Sequence, residues 1–125
     1  MRLKVYIAGP YTYPNVEENV ANAIRVANQL MDLGVDVFVP HLFYYCDKQA
    51  PRSYDRWLDT TMSWMRRCDV VFRMAGESDG AQKEVDEARQ LGISVFTEFH
   101  NLLTFCEGYE KGAGIVSNKY LQARE

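Results

Sequence analysis

A chain of 125 residues that is 47% hydrophobic has the size and apolar content of one compact domain, expected to span residues 1–125. Its net charge of -3 argues against the basic footprint on which nucleic-acid polymers dock. No apolar run approaches the roughly 20 residues that cross a bilayer, and the N-terminus enters a strand pattern without a signal-peptide core, so a cytoplasmic protein with no membrane partner is expected.

The first strand reads over 3–8, Leu3-Lys4-Val5-Tyr6-Ile7-Ala8, and stops at Gly9-Pro10. From Asn15 to Leu33, Val16, Val20, Ile24, Ala27, Leu30 and Met31 recur at helical spacing, with Gly34 as the stop. Residues 35–39 form a second strand closed by Pro40. Residues 41–53 carry aromatics, Pro51 and charges without period and read as a long loop. A second helix covers 54–67, with Trp57, Leu58, Thr61, Trp64 and Met65 inward, and 69–74 is the third strand. The next helix covers 81–91, with Ala81, Val85, Ala88 and Leu91 inward and Gly92 ending it; 93–96 is the fourth strand. Residues 97–125, punctuated by Gly108, Gly112 and Gly114, are less regular. Short strands alternating with helices predict an α/β fold with a mainly parallel sheet of four to five strands, a flavodoxin-like (Rossmann-like) three-layer sandwich.

Cys46, Cys68 and Cys106 are isolated and lack CxxC spacing, and His41 and His100 belong to no HExxH pair. No disulfide framework and no metal are therefore expected, and both histidines read as ordinary loop residues. The chemistry points to Ser78-Asp79-Gly80-Ala81-Gln82-Lys83-Glu84, which follows the third strand and opens the next helix. In open α/β sheets the ligand crevice lies outside the carboxyl ends of the strands, where helix N-termini offer N–H groups to anions. Glu84 is expected in the first helical turn, where the helix dipole favours its ionised form. Ser78 or Asp79 suits the N-cap. Gly80 allows close backbone approach, as does Gly9, and Tyr11 offers a ring or a hydroxyl to a ligand. Phe43, Tyr44, Tyr45 and Tyr54 supply either one wall of a ligand pocket or the cover of a sheet edge or a subunit interface. Arg52 and Arg56 are the nearest cations.

With Lys4 through Tyr11 at the first strand, Trp64 through Val71 before the third, and Ser78-x-Gly80-x-x-x-Glu84, residues 3–97 resemble the nucleoside 2-deoxyribosyltransferase-like family. That family includes the 2′-deoxynucleoside 5′-phosphate N-hydrolases and the CMP N-hydrolases, and the chain looks most like its small phage and bacterial branch. The resemblance implies chemistry at the glycosidic carbon, with Glu84 as nucleophile, and a carboxylate below C1′ can stabilise or trap an oxocarbenium-like sugar. It implies sugar or phosphate contacts from Ser78, Asp79 and Gly80, and a pocket bordered by Gly9, Pro10 and Tyr11. The family's helix aspartate near the reacting base falls here on Thr61, while Asp59 lies about 200° away around the helix. Family sites are completed by a neighbouring subunit near its C-terminus, which points to Asn118 and to a homodimer or larger assembly. No metal or organic cofactor is implied. The expected function is hydrolysis of the N-glycosidic bond of a (deoxy)nucleoside 5′-monophosphate; the alternatives are base exchange between nucleosides and a non-catalytic nucleotide-binding or sensing module.

Overall fold

The computed structural model describes residues 2–113, with side chains to residue 109; the Asn118 expectation lies outside the described residues. In chain order the elements are β1 (Lys4–Ala8), α1 (Val16–Met31), β2 (Asp36–Phe38), a 3₁₀ turn (Pro40–Leu42), α2 (Phe43–Gln49), α3 (Tyr54–Met65), β3 (Val70–Arg73), α4 (Asp79–Gln90), β4 (Ser94–Phe96) and α5 (Phe99–Ala113). The four strands pair in parallel in the order β2-β1-β3-β4. Successive side chains of a strand point to opposite faces, and β1 shows the result: Leu3, Val5 and Ile7 pack with Val70 and Phe72 beneath α1 and α5. Tyr6 and Ala8 join Val71 on the other face, against α3 and α4. The sheet is thus covered on both sides, which is why β1 reads as a nearly continuous apolar run rather than an alternating one.

Connections leave β1 toward β2 on one side and return past it to β3 on the other. The order therefore reverses between β1 and β3, and a crevice opens at the carboxyl ends of these two strands. Local chemistry fixes the approaches to it. Asp69 accepts a hydrogen bond from Lys4 N at 2.8 Å and returns one from its own N to Lys4 O at 2.8 Å, clamping the α3–β3 turn to β1. Ser53 and Ser78 cap α3 and α4 by accepting from Arg56 N and Ala81 N, each at 3.1 Å. Arg66 reaches across from α3 with two bonds to Glu87 of α4, at 2.8 and 3.1 Å.

Several sequence expectations need correction. Residues 41–53 are not one long loop: Pro40 starts a 3₁₀ turn and α2 follows. Its aromatic residues pack tertiary partners instead of a single helical stripe, Phe43 stacking on Trp57 at 5.1 Å, so periodicity is blind to it. Residues 99–113 form α5, anchored by Leu102 and Cys106 one turn apart in the core. Met31, Trp64 and Leu91, expected inward, are half exposed. Among the described residues no helix is long and apolar enough to cross a membrane.

Candidate active site

The crevice contains a cavity of about 560 Å³. Its walls come from the loop after β1, the 3₁₀ turn and α2 after β2, one face of α3, and the first two turns of α4. Ser78 caps α4, so the helix starts at Asp79 and Glu84 lies in the second turn, not in the first as the sequence suggested. The consequence is burial: Glu84 is 6% exposed, on the face that meets the sheet beside Ala81, Val85 and Ala88.

Three elements reach this carboxyl. From β1, the buried Tyr6 hydroxyl donates to Oε2 of Glu84. From α3, Thr61 stands beside Glu84 and Tyr6, its hydroxyl donating to Leu58 O at 3.1 Å. From the end of β3, Arg73 adds a positive charge. Burial pushes the Glu84 carboxyl up to about 7, with the Tyr6 hydrogen bond, the neighbouring Thr61 hydroxyl and the Arg73 charge pulling the other way. Desolvation therefore outweighs any stabilisation of the anion by the helix dipole. Burial, together with the adjacent Glu84, also holds the Tyr6 phenol well above its ordinary value, so it remains a donor.

Seven of the sequence-derived candidates line this one cavity: Gly9, Tyr11, Thr61, Ser78, Asp79, Gly80 and Glu84. Two do not. Asp59 is exposed on the far side of α3 and absent from the wall, as its helical angle required. Pro10 is also absent from the wall, but its carbonyl accepts from His41 Nε2 at 3.1 Å. Gly9 has a packing reason as well, since a Cβ there would stand 2.9 Å from Met74 Cβ. Gly80 lies under Tyr54, whose hydroxyl would be 3.3 Å from an added Cβ. Of the two cations proposed from sequence, Arg52 lines the cavity and Arg56 instead bonds Thr60.

Sequence reasoning missed Tyr6, His41, Arg73 and Lys83. A tyrosine inside an aliphatic strand was a signal, because a buried phenol needs a partner. His41, read as a loop histidine, is 3% exposed and lines the cavity, and burial lowers its pKa, keeping the imidazole neutral. Arg73 donates to the Met74 and Gly76 carbonyls and so ties down the loop that leads to Ser78. The aromatic wall holds Tyr11, Phe43, Tyr54 and Trp57. Asp47 fixes part of it by accepting from Trp57 Nε1 at 2.6 Å and Arg52 N at 2.9 Å. Those two N–H groups hold the Asp47 carboxyl below the usual carboxylate range.

The family model described as "Domain of unknown function (DUF7768)" matches residues 3–98. No curated protein sequence matches the chain. Among solved structures, the 2-deoxyribosyltransferase of Bacillus psychrosaccharolyticus is similar with a TM-score of 0.52 and 24% identity, over 74% of this chain and 69% of that one. The 2-deoxyribosyltransferase of Leishmania mexicana is similar with a TM-score of 0.54 and 21% identity, over 74% of this chain and 61% of that one. At these identities the likeness is one of fold, and the fold is flavodoxin-like as the sequence predicted.

Proposed function

The chain belongs to the DUF7768 family, and from the geometry of its cavity we propose that it is an enzyme that breaks the N-glycosidic bond of a nucleoside 5′-monophosphate, with Glu84 as nucleophile. The observation that carries this reading is Glu84 itself, a buried carboxyl held by the Tyr6 hydroxyl at the edge of a cavity of about 560 Å³. In the reaction an ionised oxygen of Glu84 bonds to C1′ as the bond from C1′ to the base nitrogen breaks. Water then attacks C1′, releases Glu84 and yields the sugar phosphate. Tyr6 orients the carboxylate by donating to it. The Ser78 hydroxyl and the free N–H groups at the start of α4 receive the 5′-phosphate, with Arg52 and Lys83 also lining the cavity. A homodimer or larger assembly would complete the site, as the family resemblance implies.

Base exchange on unphosphorylated nucleosides is a second reading, and a specific observation favours it. Asp47, Glu77, Asp79 and Glu84 line the cavity against only Arg52 and Lys83, a poor balance for a dianionic phosphate. The fold shared with two 2-deoxyribosyltransferases agrees with it. Free-base release from ribo- and deoxyribonucleosides and their 5′-monophosphates, with and without an acceptor base, separates the readings. Release that needs no acceptor and is lost in Glu84→Gln supports the hydrolase, and release only with an acceptor supports exchange. No release from any member, with ligand-induced stabilisation retained, makes the protein a binding module.

A further inference from the structure

Breaking the bond from C1′ to a neutral base leaves an electron pair on the base nitrogen, and a general acid that protonates it accelerates the step by about 10²–10⁴. The side chains gathered at Glu84 have no proton to lend. The Tyr6 O–H is committed to Glu84. The Thr61 hydroxyl donates to Leu58 O at 3.1 Å. Arg73 spends N–H groups on the Met74 and Gly76 carbonyls. Elsewhere in the lining the neutral His41 points its N–H at Pro10 O, and its other nitrogen, Nδ1, is a buried acceptor without a partner. Asp47, held low by its two donors, stays an anion.

Charge and aromatic faces point the same way. Four carboxylates line the cavity against two cations. Both of those cations already sit over rings of the wall, Arg52 at 5.4 Å from the Trp57 centroid and Lys83 at 5.2 Å from that of Tyr54. A net anionic cavity walled by aromatic rings attracts a cation. We propose that the preferred substrate carries its positive charge on the base itself, as an N-glycosyl pyridinium or an N7-alkylated purine, on a nucleoside or its 5′-monophosphate alike. This rests on Glu84 being the nucleophile at C1′.

Such a base needs no acid. The pair of electrons of the C1′–N bond moves onto the base, cancels its charge and leaves it neutral, while a Glu84 oxygen bonds to C1′. Water then adds to C1′ as the bond to Glu84 breaks; its proton passes to the freed carboxylate and on to solvent. The net change is cationic nucleotide plus water to neutral base, sugar phosphate and one proton.

The test compares 7-methylguanosine 5′-monophosphate with guanosine 5′-monophosphate, in ribo and 2′-deoxy forms, with nicotinamide mononucleotide as a cationic base of different shape. The expected kcat/KM favours the cationic member by roughly 10³-fold or more, the span of the missing acid. Thr61→Asp, which introduces a carboxyl at the reacting end, should reduce that ratio at least about tenfold. Because this variant loads the core with a carboxyl, equilibrium binding to Glu84→Gln is the second readout. It should hold the methylated nucleotide roughly tenfold tighter than its parent. Equal cleavage of the pair, or equal binding, overturns the cationic-base proposal and leaves Glu84 as nucleophile. If no nucleotide binds and none is cleaved, the glycosidic reading itself falls.

Discussion

Glu84→Gln should make the protein more stable, and increasingly so as pH rises. Folding raises the Glu84 carboxyl from an ordinary 4.5 to about 7, so between those values the native state holds a proton that the unfolded chain has released. Stability therefore falls as pH climbs through this window and stays lower above it. At about 1.4 kcal/mol per pH unit, the gap corresponds to about 3 kcal/mol. Glutamine is neutral at every pH, nearly isosteric, and its amide oxygen still accepts from the Tyr6 hydroxyl. Every other titrating group is common to both proteins and cancels in the difference.

Urea unfolding of both proteins at pH 4.5 and pH 8, analysed for the midpoint and slope, measures the effect. The stability difference between Glu84→Gln and the parent should grow by about 3 kcal/mol across the interval, equivalent to roughly 10 °C in Tm for a chain of this size. A difference that stays flat to within about 1 kcal/mol would mean that Glu84 titrates as an ordinary exposed carboxylate, and the buried-nucleophile argument would be refuted.

The acidic limb of kcat/KM should have its midpoint at about 7, where Glu84 ionises; in Tyr6→Phe, which removes the donor to the anion, a pH–rate series should find it higher, with stability lower by about 1–2 kcal/mol. Ser78→Ala removes the α4 cap and should cost about 1 kcal/mol in urea, whereas Ser78→Asp keeps the cap and sets a negative charge beside the proposed phosphate, so calorimetry should show weaker monophosphate binding without loss of stability. Gly76 has φ +117 and an added Cβ would stand 2.6 Å from Pro10 Cγ, so Gly76→Ala should cost about 1–3 kcal/mol in thermal unfolding, from a site that touches no substrate.

The fold was legible wherever one face of an element carries its packing. α1 repeats apolar residues toward one side, and β1 shows the uninterrupted apolar run of a strand buried twice. α2 and α5 were illegible for opposite reasons. Phe43 and Tyr44 of α2 make their contacts with separate partners, Trp57 and Tyr11, and leave no period to detect. In α5 the glycines mask the pattern, yet Leu102 and Cys106 bury themselves in the core and Gly108 faces open space, where it needs no special conformation.

The site was half legible, and the half that was missed sets the state of Glu84. Ser78, Gly80 and Glu84 stand together in sequence because one strand end and one helix start present them, and a local motif can report that. Tyr6, Thr61 and Arg73 act on the same carboxyl from β1, α3 and β3, and only the closed sheet brings them together. That difference explains the one physical error about Glu84. A helix-dipole argument is local and predicts an ionised, low-pKa carboxylate. The opposite shift comes from the sheet, which buries the side chain and supplies one phenol in place of water. A carboxyl poised near neutrality, as the proposed nucleophile is, is thus a product of tertiary burial. It costs the fold about 3 kcal/mol at alkaline pH, and the glutamine variant recovers that stability only by giving up the ionisable oxygen that the proposed reaction needs.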